Sequence, residues 1–191
     1  MESTEIEVFC PTSQQEWRQW LEENHSSKQS VWLVYHKKKA QMPTISWSQA
    51  VDEALCFGWI DSTAKPIDEH TYRQFFTKRK PKSVWSKVNK DKIVQLTKAG
   101  LMTEAGYKII EIAKQNGSWT ILDDVEALII PEDLEKAFQT QSGSKEIFLS
   151  LSKSVQKANL YRLVLAKSLE TRQKRIQETL AFISQKINLL G

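Results

Sequence analysis

The stretch with the highest density of chemically capable side chains is ALCFGWIDS, residues 54–62. It contains a thiol, an indole and a carboxylate within six positions, on Cys56, Trp59 and Asp61. A thiol is a potential nucleophile, a carboxylate is a potential general base, and an indole offers a stacking surface. Which of these roles is open depends on the elements that position the three side chains.

Cys56 is a poor candidate for a nucleophile. The preceding residues predict a helix that ends near Gly58, so the thiol lies in the last turn, at the negative end of the helix dipole. A reactive thiolate needs the opposite environment, which a helix N-terminus or neighbouring cations provide. Cysteine is also among the residue types most often buried. The sequence therefore favours a core thiol, unless cations from residues 78–82 fold over it.

Asp61 has two interpretations, a turn residue that bridges to a nearby base or a functional acid. No second acid stands at a fixed local spacing, so the pattern of a paired-carboxylate hydrolase is missing. Ser62, Ser83 and Ser86 lack the G-x-S-x-G context, and the chain has no GxGxxG or Walker loop. We therefore assign no catalytic residue and no cofactor. An enzyme that acts on a small phosphorylated or carboxylated metabolite, with Asp61 as base, stays open as the alternative.

The largest cluster of charge is FFTKRKPKSVWSKVNKDK, residues 75–92. Its cations are Lys78, Arg79, Lys80, Lys82, Lys87, Lys90 and Lys92. Ser83 is predicted to begin a helix, and a helix N-terminus beside cations binds phosphate or carboxylate groups. Trp85 among these cations also suits a stacked base. A solvated basic strand end with a core tryptophan is the competing interpretation.

These two unusual segments flank one predicted hairpin, residues 60–77, and we expect them to form a site for a small anionic ligand. The expected ligand-binding residues are Trp59, Asp61, Arg79, Lys82, Ser83 and Trp85. In this hypothesis Arg79 and Lys82 supply charge, and Ser83 with its neighbouring N–H groups supplies hydrogen bonds. Either tryptophan offers a stacking face, and Asp61 orients a cation or accepts from the ligand.

The elements predicted around this site do not alternate regularly between strand and helix, which indicates an α+β fold. SVWLVYH and TYRQFFTK have strand patterns, and SWSQAVDEALCFG has a capping box at Ser46 and Gln49. We expect a small antiparallel sheet packed with helices in residues 1–120, followed by a helical region, residues 121–191, packed on it. In this second region Pro131 is predicted as the first helical residue, and QSGS, residues 141–144, as a linker.

Helical spacing predicts which side chains face the core. Trp17, Trp20 and Leu21 fall on one face of a helix that begins after Thr12 or Ser13. The TEAGYKIIEIAKQ helix is expected to turn Ile109, Ile112 and Ala113 to the core and to place Tyr107, Ile110 and Lys114 on the other side. A C-terminal seam is expected at Leu169, Ile176, Leu180, Ile183 and Ile187.

Composition limits the class of protein. The chain has 191 residues, 40% of them hydrophobic and 26% charged, and no apolar run of membrane-spanning length. The first residues lack the basic start and apolar stretch of a signal peptide, so we expect a cytoplasmic location without membrane insertion. Two lone cysteines and three scattered histidines predict neither a disulfide framework nor a structural zinc site. The sequence does not indicate an oligomeric state.

The net charge is +4, but the charges are unevenly distributed along the chain. Basic blocks lie at residues 73–98 and 153–191, and acidic blocks lie at residues 1–27 and 120–138. Nucleic-acid binding is therefore a third hypothesis, ranked below the anion-binding protein and the enzyme. It requires the two basic blocks to form one stripe and binding that weakens steeply with salt. Mutual neutralisation by the acidic blocks is the competing interpretation.

The chain resembles the YdeI/OmpD-associated family, often called bacteriocin-protection proteins. The resemblance rests on WRQWLEENH, VWLVYHKKK, SWSQAVDEALCFGWIDS, FTKRKPKSVWSKVNKDKIVQLTKAGLMTEAG and AKSLETRQKRIQETL. The chain departs from the family pattern at KSVQKANLYRLVLAK, where an arginine-rich start and a Trp-containing helix are usual. The resemblance implies a binding or stress-tolerance protein that protects bacteria from bacteriocins or antimicrobial peptides, and an association with a porin. It implies no reaction, cofactor or catalytic residue.

Overall fold

A four-stranded sheet organises the N-terminal part of the chain. The computed structural model describes residues 6–188, with side chains to residue 186. The strands are β1 (Val8–Phe9), β2 (Ser30–His36), β3 (Trp59–Pro66) and β4 (Thr71–Lys78), in the order β1-β2-β4-β3. The fold is α+β, as predicted.

One pairing differs from the antiparallel sheet that the sequence predicts. Strand β4 pairs antiparallel with both β2 and β3, but β1 runs parallel to β2, so the sheet is mixed. The reason is the intervening helix α1 (Gln14–Asn24), which returns the chain to the same end of the sheet before β2 begins. The β3–β4 pair is the predicted hairpin, and its register shifts at a bulge between Asp61 and Ala64.

Local capping signals fix the helices that pack on the sheet. Ser13 accepts from the Glu16 N–H at the start of α1. Helix α2 (Trp47–Cys56) has the predicted capping box of Ser46 and Gln49, and Gly58 follows it with φ of 72°. Such a positive φ ends a helix at little cost only in glycine. A 3₁₀ turn, Lys38–Ala40, lies between β2 and α2.

Two predictions about the next helices are wrong. Helix α3 (Lys87–Lys98) is capped by Ser86, whereas Ser83 lies in a turn in which its N–H donates to the Lys80 carbonyl. In α4 (Glu104–Gln115), Ile110 is buried with Ala113, while Ile112 is only half-buried.

The core of this part lies between the helices and one face of the sheet. Trp17 of α1 and Phe76 of β4 meet in a T-shaped contact with ring centroids 5.4 Å apart, and Trp17 donates its indole N–H to the Ala50 carbonyl. Trp20 and Trp59 meet edge-on at 5.7 Å. The predicted core face of α1 is confirmed, since Trp17, Trp20 and Leu21 are all buried.

The C-terminal part is helical. Its helices are α5 (Asp123–Glu126), α6 (Glu132–Gln139), α7 (Ser144–Ser150), α8 (Lys153–Val164) and α9 (Leu169–Asn188). Its buried apolar residues are Leu122, Val125, Leu134, Phe138, Phe148, Leu160, Leu163, Ile176, Leu180 and Ile183.

Three predictions for this part need correction. Pro131 is the N-cap of α6 and not its first residue. The expected QSGS linker is shorter than predicted, because Ser144 is already the first residue of α7, and its hydroxyl donates to the Phe138 carbonyl. Leu169 of the expected seam is 82% exposed, because the buried stripe of α9 begins only at Ile176. The Ile187 side chain lies outside the described residues.

The chain divides into two compact units, Met1–Trp119 and Thr120–Gly191. The predicted domains, with a boundary after residue 120 and the second packed on the first, stay a prediction. Within residues 6–188 no helix combines the length and the apolar character needed to cross a bilayer.

Candidate functional site

The turn that begins the hairpin and the start of the basic segment lie side by side. The Arg79 N–H donates to the Gly58 carbonyl at 2.9 Å, and Trp59 is the register partner of Lys78. This pairing follows from the β3–β4 hairpin, since Arg79 comes directly after β4 and Gly58 directly before β3. The two segments that the sequence singles out are therefore neighbours in the fold.

Asp61 is fixed by two neutral donors. The Trp47 indole N–H and the Gln74 amide each donate to its Oδ2 at 2.9 Å. The Gln74 amide also donates to the Ser62 carbonyl at 2.9 Å. Trp47 is the first residue of α2 and is 47% exposed, whereas Gln74 is buried on the core face of β4. Asp61 is half-buried, and its carboxylate is held in one orientation.

Arg79 carries a charge in a buried position. The residue is only 5% exposed, and burial lowers the pKa of its guanidinium to about 10, although the Asp61 carboxylate acts in the opposite direction. Its Nη1 donates to the Val84 carbonyl at 2.9 Å, and the guanidinium lies 3.6 Å from the Trp85 ring centroid. Its Nε is buried without a hydrogen-bond partner. The cation is thus stacked on an indole and incompletely hydrogen-bonded.

Tyr35 adds an unused hydroxyl to the same region. The residue is 1% exposed, its ring stacks on Tyr72 at 4.8 Å, and its hydroxyl has no partner. Burial is the main cause of the raised pKa of the Tyr35 phenol, and the charges of Tyr72 and Asp61 add to it. The phenol therefore stays protonated at neutral pH, and its O–H donor is not used within the described structure.

We call this set of residues the polar corner and define it as Tyr35, Trp47, Asp61, Gln74 and Arg79. Asp61 links the other four residues, because it accepts hydrogen bonds from Trp47 and Gln74 and its charge acts on both Tyr35 and Arg79. The polar corner thus sets a guanidinium and a phenol that have unused donors next to an oriented carboxylate, and these groups are chemically complementary to an anion that also carries a hydrogen-bond donor.

Two models of known families match two separate parts of the chain. Residues 9–109 match the family model described as Domain of unknown function (DUF8412), which covers just over half of the chain and the whole polar corner. The chain belongs to this family. Residues 127–186 match a second model, described as Bacteriocin-protection, YdeI or OmpD-Associated. No curated protein and no solved structure matches the chain.

The two matches refine the resemblance drawn from the sequence. The resemblance to the YdeI/OmpD-associated family is confirmed for residues 127–186, in the C-terminal unit, and this match includes ETRQKRI. ALCFGWIDS and the basic stretch of residues 75–92, which contain the expected site, lie instead in the region of the DUF8412 family. Neither family description names a reaction or a ligand for the polar corner.

The DUF8412 region brings together only some of the expected site residues. Asp61 and Arg79 are near each other, and Lys82 and Ser83 follow in the adjoining turn, where Lys82 is exposed. Trp59 is 0% exposed and Trp85 is 1% exposed, and the Trp85 ring contacts the Arg79 guanidinium and, at 5.0 Å between centroids, the Trp119 ring. Neither tryptophan has a free face for a ligand, so their expected stacking role has no support in this geometry.

Sequence reasoning missed Tyr35, Trp47 and Gln74. A signal for Gln74 exists, since it is the one polar residue between Tyr72 and Phe76 on an otherwise aromatic face of β4. Trp47 gives a weaker signal, an aromatic residue directly after the N-cap of α2. Tyr35 gives none, because tyrosine is common in buried strands.

Cys56 is buried, as the sequence predicts. Burial is the largest cause of the rise in the pKa of its thiol to about 11, and the Glu53 carboxylate adds to it. The thiol is therefore protonated at neutral pH. Among the described residues no cluster of three His, Cys, Asp or Glu side chains has the geometry to hold a metal ion.

Proposed function

We propose that the protein binds a small anion at the polar corner and acts in bacteriocin protection, the role that the description of the C-terminal family names. The observation that carries the binding proposal is Arg79, a 5% exposed guanidinium whose Nε lacks a partner. The role in protection rests on the family description alone.

A buried guanidinium is normally satisfied by several acceptors. It has five N–H donors in a planar fork, and a buried charge is costly unless it is paired and hydrogen-bonded. Arg79 donates to the Val84 carbonyl. The Oδ2 atom of Asp61 accepts from Trp47 and Gln74. A carboxylate or phosphate group matches the fork and would complete its hydrogen bonds.

The other groups of the polar corner restrict the ligand. Tyr35 supplies a hydroxyl donor, and the exposed ring of Trp47 supplies an apolar wall. Asp61 repels a second negative charge, so the ligand has one anionic group at Arg79 and a hydroxyl or amine that donates to Asp61. A small hydroxycarboxylate or amino acid has this combination.

Titration calorimetry with lactate, serine and inorganic phosphate tests the binding proposal. We expect lactate or serine to bind the wild type. Arg79→Lys should weaken that binding about tenfold or more, since lysine keeps the charge but loses the fork. Lys82→Met, which removes an exposed cation of the neighbouring turn, should change the affinity less than about threefold. Folding of each variant is checked by circular dichroism.

The sign of the Asp61 effect gives an independent test. Asp61→Asn removes the repulsion of anions but keeps an oxygen that can accept from Trp47, so phosphate should bind the variant more tightly than the wild type. Weaker phosphate binding in Asp61→Asn, or no binding of any of the three compounds to the wild type, contradicts the proposal.

The biological role needs its own experiment. In a bacterium that depends on this gene for bacteriocin tolerance, complementation with the wild type should restore survival and complementation with Arg79→Lys should not. Equal survival with both would show that protection does not depend on Arg79 of the polar corner.

A further inference from the structure

The sheet has a second face that the polar corner does not use. Core side chains such as Leu33 and Phe76 face the helices, so their neighbours in sequence face the other way. The strand register sets Val8 beside Trp32, and Trp32 opposite Phe75, in one row across β1, β2 and β4. Val8 is 55% exposed, and Trp32 and Phe75 are half-buried.

Two cations lie on the same face, next to this apolar row. Lys65 of β3 and Arg73 of β4 are directly opposite each other in the register. The Arg73 guanidinium lies 4.4 Å from the Trp32 ring centroid, and the Lys65 ammonium lies 5.5 Å from it. We call this set the outer sheet face and define it as Val8, Trp32, Lys65, Arg73 and Phe75.

The outer sheet face has an excess of positive charge. Like charges at opposite positions of an antiparallel pair are destabilising. Among residues 6–186 neither Lys65 nor Arg73 has a carboxylate partner within ion-pair distance, and the buried Nε of Arg73 has no hydrogen-bond partner. Contact with the Trp32 ring offsets part of the repulsion, because the face of an indole attracts cations. Lys65 and Arg73 can therefore form ion pairs with an anion from outside the chain.

We propose that the outer sheet face binds single-stranded nucleic acid. Lys65 and Arg73 would contact phosphates. Arg73, whose guanidinium is already stacked on Trp32, can receive a base on its other side, and Val8 and Phe75 extend the apolar surface along the row. A duplex hides the faces of its bases, and an acidic peptide has no π-face to stack on a guanidinium, so both fit this surface less well.

This surface is independent of the anion site of the polar corner. Asp61 pairs in register with the core residue Phe76, whereas Arg73 and Phe75 face away from the core. Loss of binding at one surface therefore leaves the other intact, and the two proposals can fail separately.

Fluorescence anisotropy with a labelled oligothymidylate of about twelve nucleotides, a length within the range of single-strand binding sites, tests the proposal. We expect the wild-type chain to bind this strand more tightly than the same strand annealed to oligodeoxyadenylate. The logarithm of the binding constant should fall with the logarithm of salt concentration with a slope of about −1.4, for two phosphates neutralised on a single strand.

Matched variants locate the surface. Lys65→Gln, on an edge strand at an exposed position, should weaken binding several-fold, and Lys65→Gln combined with Arg73→Gln should weaken it about tenfold or more. Lys108→Gln removes the same charge from an exposed position of α4 and should have little effect. Circular dichroism and thermal melting check the fold. If the double variant fails to fold, Lys65→Gln against Lys108→Gln still decides the question.

Three outcomes overturn the proposal. The first is no anisotropy change up to about 100 μM protein, the weak end of ordinary non-specific binding. The second is an equal loss in Lys108→Gln, which would show that only overall charge matters. The third is equally tight competition by polyglutamate or heparin, which would assign a general polyanion surface instead of one that stacks bases.

Discussion

At the scale of single residues, Gly106 shows how closely α4 approaches the end of α2. A Cβ atom at this position would lie 2.3 Å from the Cys56 carbonyl oxygen and 2.8 Å from the Met102 side chain. The same carbonyl accepts from the backbone N–H of Thr103 at 3.2 Å and from its hydroxyl at 2.7 Å. The contact is between backbones, so only a residue without a side chain fits.

We therefore expect Gly106→Ala to lower the free energy of unfolding by about 3 kcal/mol, because backbone has to move to admit the methyl group. The gain that alanine normally brings to a helix interior is about 1 kcal/mol and does not offset this. Urea denaturation measures the change. Lys108→Ala, at an exposed site of α4, is the control and should change stability by less than about 0.5 kcal/mol. Equal stability of Gly106→Ala and the wild type would contradict the close contact.

The buried thiol of Cys56 predicts a pH dependence. In the folded protein its pKa is raised to about 11, from 9.0 for a free thiol. Between these two values the unfolded chain has lost the proton and the folded chain has kept it, so stability falls as pH rises from about 9 to 11. Cys56→Ala removes this contribution. Its stability, measured by urea denaturation at several pH values, should fall less steeply over that window, and parallel curves would show that the thiol is not responsible.

At the scale of elements, α1 and α2 are joined by an ion pair in which the carboxylate is buried and the guanidinium is half-buried. Glu53 of α2 is 3% exposed, and its carboxylate accepts from Arg18 Nη1 at 2.8 Å and from the Gln14 amide at 2.6 Å. Arg18 also donates to the Leu101 carbonyl at 3.1 Å. Removing one partner of such a pair leaves the other charge buried and unpaired, which is costlier than removing both.

A double-mutant cycle tests this arrangement. Arg18→Met should destabilise the protein by about 3 kcal/mol, because Glu53 stays buried without its cation. The double variant that also carries Glu53→Met should lose clearly less stability than the sum of the losses in the two single variants, since both charges are then gone. Arg18→Met alone also loses a bond to Leu101, so the interaction term is read from the whole cycle. Strict additivity would contradict a coupled pair.

The elements that the sequence predicts correctly are those with local signals. The capping box of Ser46 and Gln49 and the positive φ of Gly58 depend on residues within a few positions of each other. The start of α3 depends on more than that, because Ser83 and Ser86 are equally good caps. Trp85 is buried beneath Arg79, and the helix begins only after Ser86.

The orientation of α4 and the polar corner show the limit of local reasoning. Ile109, Ile110 and Ile112 are alike in sequence, and the close approach of α4 to α2 decides which of them is buried. The polar corner joins Asp61 to residues 14 positions before it and 13 after it. Those contacts depend on strand register and on the bulge after Asp61, for which the sequence has no marker.

At the scale of the whole molecule, each compact unit has a buried apolar cluster of its own. Phe138 and Phe148 meet at 5.3 Å in the second unit, and Trp17 and Phe76 meet at 5.4 Å in the first. All seven tryptophans lie before residue 120. Tryptophan fluorescence therefore reports the first unit, whereas far-ultraviolet circular dichroism also follows α5–α9 of the second.

We expect the two signals to separate when one cluster is weakened, because a unit with its own core can unfold as a unit. Phe148→Ala should lower the stability of the second unit by about 3 kcal/mol or more, which moves part of the dichroism transition to lower urea and leaves the fluorescence midpoint in place. Leu33→Ala, at an equally buried site of the first unit, is the matched change and should move the fluorescence midpoint. If Phe148→Ala shifts both signals by the same amount, the chain unfolds in one cooperative step and the units are not separate in energy.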